Sequence, residues 1–415
     1  MSKDNILKPA GFLLIITTLV AVLNFVYNII MGRMLSVADF GDLRALFSIL
    51  MILSVPTSAI QTMMAKFSAE YHQLNLGKLK TLSLHTLFAM LALGLVLIAV
   101  FGWFSRPMAD YLKVSSPKLV FLLGPLMLFT LVGPLILGIY QGRQRFLLLG
   151  VNGLVGTILK LLFSAGFVYL GYAALGALYG LLISMALITL VFGLMLITQF
   201  YRDKTPKEAY RRQDIYSYSG YALGVLICYS VVSQIDLLIV KHKFLPEEAG
   251  LYACAALIGK GFLFLPVPVV TVLFPKVVEN NRMGKSSFSI LNKSLLISFL
   301  LCIIGVALCF LFTPYLINIF GVKYAGAGYL IKIFGLAMTP LALFFVLMNY
   351  FLSEYKLNFF YYCFLACLLG TAILFYLPKT LSQFLLVLGW FGLLIFILPL
   401  IYILIKEKEV AAGSR

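Results

Sequence analysis

The chain has 415 residues, of which 62% are hydrophobic and 11% charged, with a mean hydropathy of +1.04. Soluble domains are nearer half apolar and a quarter charged, so this composition excludes a single water-facing globule and points to the bilayer as solvent. The formal net charge of +17 would suggest nucleic acid in a soluble protein; here the preference for basic residues on the inner side of a membrane explains much of it, and no nucleic-acid partner is expected.

A helix needs about 20 mostly apolar residues to cross a hydrocarbon core of about 30 Å. The apolar runs are long and lack the alternation of a barrel strand, so they predict helices. In chain order these fall at 10–31, 43–70, 81–104, 119–141, 147–170, 173–199, 217–241, 250–275, 294–313, 328–352, 357–377 and 383–405. Several exceed a bare span and must tilt or project. The first run is too long for a cleavable signal and ends without a small-residue cleavage site.

With the N-terminus inside, twenty of the 32 Lys and Arg residues fall on inner segments, nine on outer segments and three within spans. That bias places both termini in the cytoplasm. The longest polar segment, 201–216, carries Arg202, Lys204, Lys207, Arg211 and Arg212 at mid-chain. It reads as a basic cytoplasmic linker between residues 1–200 and 217–415, and a loop that only sets topology is compatible with the same residues.

The two halves look related. Leu35-Ser36-Val37-Ala38-Asp39-Phe40-Gly41 precedes a helix with Pro56, and Leu245-Pro246-Glu247-Glu248-Ala249-Gly250 precedes one with Pro266. Arg33 then matches Lys243. An even number of helices per half makes this a parallel repeat about an axis along the membrane normal. The fold class expected is an all-α integral membrane protein, with about twelve transmembrane helices in two six-helix lobes related by a pseudo-two-fold axis.

These residues carry a resemblance. Gly32-Arg33-Met34 through Gly41 resembles the first outer loop of polysaccharide (O-antigen-type) flippases. Gln234 to Val240, followed by Pro246 to Tyr252, does likewise, and Gln141-Gly142-Arg143-Gln144-Arg145-Phe146 resembles the basic turn after their fourth helix. That family lies in the multidrug/oligosaccharidyl-lipid/polysaccharide exporter superfamily. The resemblance implies two lobes around a central cavity and alternating access. It also implies a polyprenyl-diphosphate-linked sugar as substrate, membrane lipid and polysaccharide-assembly enzymes as partners, and a bacterial or archaeal inner membrane.

Ionisable residues inside a membrane are functional candidates because burying them is costly. Asn152, Gly156, Lys160 and Ser164 recur at steps of four and share one face of the fifth helix. Lys160 is expected to meet a diphosphate from a cavity wall; a helix–helix contact with a snorkelling lysine explains the same stripe. Lys260 lies in the eighth helix ahead of Pro266 and Pro268, which should kink it. Lys260 either faces the cavity or pairs with Asp236, and both hold if substrate releases the pair. Thr17, Ala21, Asn24 and Asn28 line one face of the first helix, and Arg44, Ser48, Ser58 and Thr62 roughly one face of the second; sugar hydroxyls or neighbouring helices satisfy such groups.

The expected substrate-binding set is therefore Lys160, Lys260, Arg44, Asn24, Asn28, Asn152 and Gln234. Arg33, Asp42 and Asp236 are gating or ion-pair candidates, with Arg44 and Asp42 a pair at the outer mouth. Lys332 should snorkel.

Catalysis finds no support. His72, His85 and His242 are far apart, no phosphate-binding Gly-rich loop is present, and the six cysteines lack metal-site spacing, so no cofactor, metal or enzymatic activity is expected. Within the spans the cations outnumber the clearly buried acid, Asp236. That balance favours a flippase for anionic lipid-linked sugars over a multidrug/cation antiporter. A membrane glycosyltransferase or polymerase would need a catalytic acid and a large outer loop, and a major-facilitator transporter would need Asp-Arg and Arg-Arg patterns missing from 71–80.

Overall fold

Hydrocarbon offers no partner to a free backbone amide, so a chain this apolar closes its amides within helices. A computed structural model describes residues 4–74, 76–202, 219–283, 286–354 and 358–413; they contain helices and connections, and no strand. The linker expected at 201–216 lies outside these residues, apart from its first two, which end a helix.

The first unit holds α1 (Asp4–Met34), α2 (Val37–Leu74), α3 (Leu76–Trp103), the short α4 (Ser105–Tyr111) and α5 (Pro117–Phe121), then α6 (Leu123–Gly142), α7 (Phe146–Phe167) and α8 (Ala173–Arg202). The second holds α9 (Ser219–Lys243), α10 (Pro246–Gly259), α11 (Val267–Arg282), α12 (Phe288–Phe320), α13 (Gly328–Ser353), α14 (Asn358–Tyr376) and α15 (Leu381–Gly413). Cα packing divides the chain into these two compact units, Met1–Leu223 and Gly224–Arg415, with α9's first turn at the border.

Eleven described stretches are long and apolar enough to cross a membrane, and one of them, Phe146–Gln199, runs for 54 residues. As a single helix it would be roughly 80 Å long, more than twice what a bilayer core needs. Instead the chain reverses between α7 and α8, through a wide turn at Val168–Tyr172 with Gly171 at φ +90°. The two helices pack against each other. Counted as two crossings, the stretch gives the expected twelve, and the protein is a multi-pass, all-α membrane protein.

Without water to drive helices together, close backbone approach through small residues does much of the work. A Cβ on Gly138 would lie 2.5 Å from the Gln61 carbonyl oxygen, and one on Gly142 2.3 Å from that of Ala65. This Gly-x3-Gly spacing seats α6 on α2, where the Ser68 hydroxyl also donates to the Ile139 carbonyl at 3.1 Å. Met64, Phe67, Leu82, Leu135, Ile139, Tyr140 and Phe192 close a core around this contact. In the second unit, α13 is the most enclosed helix and packs on α12 and α15.

The repeated turns are alike in detail. The Asp39 N–H donates to the Ser36 hydroxyl at 3.0 Å, and the Ser36 hydroxyl to the Asp39 carboxylate at 2.5 Å. In the second turn the Leu245 N–H donates to the Glu248 carboxylate at 3.1 Å. Backbone bonds Leu35 to Met31 and Phe40 to Ser36 recur as Phe244 to Val240 and Ala249 to Leu245, at a constant offset of 209 residues. That register sets His242 opposite Arg33, one residue earlier than the Lys243 match expected from side-chain type.

Candidate functional site

Two asparagines on α1, one turn apart, organise the polar centre of the first unit. The Asn24 amide nitrogen donates to the Val20 carbonyl at 3.0 Å, and that of Asn28 to the Asn24 carbonyl at 2.7 Å. Their own helix thus takes the amide donors, leaving each side-chain oxygen as an outward acceptor. Lys160 of α7 donates to the Asn24 oxygen, and Arg44 of α2 donates to the Asn28 oxygen at 3.2 Å. The Lys160 ammonium also sits 4.3 Å from the ring centroid of Tyr27, which is itself buried and stacked on Phe47. An amide oxygen and a ring face both attract a cation without cancelling its charge.

Lys160 borders an open cavity of about 360 Å³ lined by α2, α6, α7 and α8. Asn152, Thr57, Thr130, Thr157, Ser184 and Thr189 supply its other polar groups, while Gly133, Gly153 and Gly156 thin its walls. The predicted stripe on α7 therefore splits. Asn152, Gly156 and Lys160 face this space, whereas Ser164 turns to α8 and donates to the Ala177 carbonyl at 2.9 Å. Glycine at 180 permits that approach: a Cβ there would lie 2.2 Å from the Ser164 nitrogen. The arrangement offers a cation beside amides and hydroxyls, a chemistry suited to an anionic head with sugar hydroxyls attached.

The second unit treats its lysine differently. Pro266 and Pro268 have no N–H to continue an α-helix, so the chain tightens into a 3-10 turn at Lys260–Phe264 before α11 begins. The break expected at the prolines thus starts six residues earlier, at Lys260 itself. Its ammonium reaches the Asp236 carboxylate at 2.7 Å and the Gln234 amide oxygen at 3.1 Å. The Tyr252 hydroxyl donates to the other Asp236 oxygen at 2.9 Å, and its ring packs against Phe334 and Phe384. Lys260 is 7% exposed and Asp236 1%, so this cation is buried and compensated.

The profile of a family described as polysaccharide biosynthesis protein matches residues 6–281. The chain belongs to that family. No curated sequence matches it. Among solved structures, an inward-facing multidrug resistance MATE family transporter of the MOP superfamily superposes with a TM-score of 0.74 at 13% identity, covering 94% of this chain and 96% of that one. The lipid II flippase MurJ, in an inward closed conformation, gives 0.69 at 14%, covering 94% and 87%. A MOP superfamily transporter from Pyrococcus furiosus, whose binding pocket is reported to have reverse polarity, gives 0.56 at 14%, covering 98% and 96%. At these identities the likeness is one of fold.

In this polysaccharide biosynthesis family member, the remaining candidates are dispersed. Arg33 is exposed in the last turn of α1. Asp42 is buried and accepts the Ser115 N–H at 2.9 Å, which ties the α4–α5 connection to α2. Lys243 donates to the carbonyls of Phe375 and Pro378 at 2.6 and 2.9 Å, closing the end of α14. Lys332 lies 5.6 Å from the Phe310 ring. Hydroxyls of the α1 and α2 stripes turn back on their own helices, Thr17 to Leu13, Ser48 to Arg44 and Thr62 to Ser58. All six cysteines are free thiols, and the described residues hold no cluster of metal-ligating side chains. Tyr27 and Tyr252 were missed from sequence, although Tyr27 shares a helix face with Asn24 and Asn28.

Proposed function

We propose that the protein is a flippase carrying polyprenyl-diphosphate-linked oligosaccharide from the cytoplasmic to the outer leaflet by alternating access. One observation carries the reading: Lys160 and Arg44 donate to the neutral amides of Asn24 and Asn28, and Lys160 borders a largely apolar cavity that also carries Asn152 and several hydroxyls. A diphosphate that displaces the Asn24 and Asn28 oxygens gains charge-assisted hydrogen bonds. Asn152 and the cavity hydroxyls then serve the first sugars. Lys260, in the second unit, takes a phosphate oxygen by exchange with Asp236, with Gln234 holding the ammonium during the exchange. The family description and the lipid II flippase with the same fold agree with this role. The proposed setting is an inner cell membrane, both termini cytoplasmic, with polysaccharide-assembly enzymes as neighbours.

A multidrug/cation antiporter is the second reading, favoured by the MATE transporter of the same fold and the buried Asp236. The sign of charge at Lys160 and Arg44 opposes it, because cations would be repelled from that site. The deciding experiment uses proteoliposomes of the purified protein. It scores the leaflet reached by a fluorescent polyprenyl-diphosphate oligosaccharide and, in parallel, uptake of a cationic dye. Lipid translocation that is lost in Lys160→Gln supports the flippase. Dye uptake with no lipid movement overturns it.

A further inference from the structure

The Lys160 cavity has a neighbour in the same unit. A second cavity, of about 250 Å³, lies among α3, α6 and α8, and Phe129 and Thr189 line both. Its character is opposite. Apart from Ser83 and Thr189, every side chain around it is apolar, including Leu84, Leu87, Leu91 and Leu128. Leu194, 59% exposed, and Ile197, 44% exposed, form its outer lip on α8. Both lip residues lie within a stretch long and apolar enough to cross a membrane.

Small residues on the α6–α8 seam create the space. Gly193 stands one turn beyond Thr189 on α8, and a Cβ there would lie 3.4 Å from the Ile136 Cδ1. Gly133 stands one turn beyond Phe129 on α6, and its Cβ would lie 3.9 Å from the Thr189 hydroxyl. Larger side chains at these positions would fill the seam. Glycine is otherwise unfavourable in mid-helix, so the seam keeps an opening at some local cost.

We infer that the two cavities are halves of one site for an amphiphile, with its anionic head at Lys160 and the first units of its apolar chain in the α3–α6–α8 groove. The chain passes between Phe129 and Thr189. Identifying the head as a diphosphate and the chain as polyisoprenoid rests on the flippase reading above. The arrangement makes the first unit select for chain as well as head: a head without a chain gains only the polar half, and an uncharged lipid only the apolar half.

The test uses the full chain in nanodiscs. One probe is a long-chain polyprenyl diphosphate with a diazirine on an isoprenoid unit near the head; the other is inorganic diphosphate, which has the head and no chain. Light should attach the long probe to peptides containing Leu87, Leu128 and Leu194, and excess unlabelled polyprenyl diphosphate should suppress the labelling. Leu194→Trp fills the lip from an exposed position. Each buried methylene multiplies affinity several-fold, so displacing about two should weaken long-chain binding roughly tenfold. Inorganic diphosphate binding should be unchanged, which also reports an intact fold. Lys160→Gln should weaken both probes.

Labelling scattered over the lipid-facing surface would overturn the inference, as would unaltered long-chain binding in Leu194→Trp. So would equal labelling by a diazirine-bearing phosphatidylglycerol that polyprenyl diphosphate does not displace, since the groove would then hold ordinary membrane lipid. The two readings fail apart. A wrong flippase assignment leaves groove labelling intact with no translocation in proteoliposomes. A wrong groove leaves translocation insensitive to Leu194→Trp.

Discussion

Replacing Asp236 by Asn leaves the Lys260 ammonium buried with only neutral oxygens described near it. The native pair is 2.7 Å apart, with side chains 9% and 1% exposed. Unit charges at that distance attract by about 6 kcal/mol at an effective dielectric of about 20. Most of this offsets desolvation of the two ions. The surviving ion keeps its desolvation cost when one partner goes, so Asp236→Asn should destabilise the protein by about 3–5 kcal/mol. Lys260→Met should cost less, because the Tyr252 hydroxyl still donates to Asp236. The double variant removes both charges and should lie within about 1 kcal/mol of wild type, giving a coupling of about 3 kcal/mol or more. Reversible unfolding in bicelles measures all three differences. Additive single effects would refute the pair as a mutual contact. The same double variant separates structure from substrate binding: if Lys260 receives a phosphate, a protein of near-native stability should flip the lipid-linked probe at least about tenfold more slowly. Full transport in the double variant would remove Lys260 from the mechanism.

Asn24→Asp sets a carboxylate against Lys160 in place of a neutral acceptor. Unfolding resistance should hold or rise while affinity for polyprenyl diphosphate falls about tenfold, measured by equilibrium binding in nanodiscs; unchanged affinity would mean the head does not meet Lys160. Gly142→Val should cost about 3 kcal/mol or more and sharply lower the folded yield, because its Cβ would lie 2.3 Å from the Ala65 carbonyl oxygen. In α7, Gly166→Ala meets nothing within 4 Å and should be neutral or slightly stabilising, whereas Gly180→Ala strikes the Ser164 backbone and should lower the melting temperature clearly. Equal melting temperatures for Gly166→Ala and Gly180→Ala would refute the close α7–α8 contact.

Much of the architecture was legible because lipid leaves few options. Apolar runs of the right length predict helices almost by necessity, and the turn at Gly171 was visible as a division between two of them. Helix ends were less legible. α1 and α2 both extend beyond the apolar runs that predicted them, since a helix continues into polar surroundings while its backbone bonds persist. Spacing on α7 identified Lys160 and Asn152 correctly as co-facial, but not that Ser164 would be drawn to α8, which depends on Gly180 across the turn. Likewise the prolines announced a break near Lys260. Its starting point at the lysine, and the Asp236–Tyr252 partnership beside it, depend on packing between helices that one helix's periodicity does not encode.

The two lysines differ most in what a phosphate must displace. At Lys160 the competitor is an amide oxygen, and a hydrogen bond with one charged member contributes about 1.5–3 kcal/mol net. At Lys260 it is a carboxylate at 2.7 Å, further held by Tyr252. On the flippase reading, a diphosphate reaching the first unit meets Lys160 and Arg44 already oriented by Asn24 and Asn28. Lys260 can take a phosphate oxygen only as Asp236 is released to Tyr252 or to a proton. Asp236 is thereby a brake on premature binding at Lys260, a role for which a buried acid is suited and an amide is not.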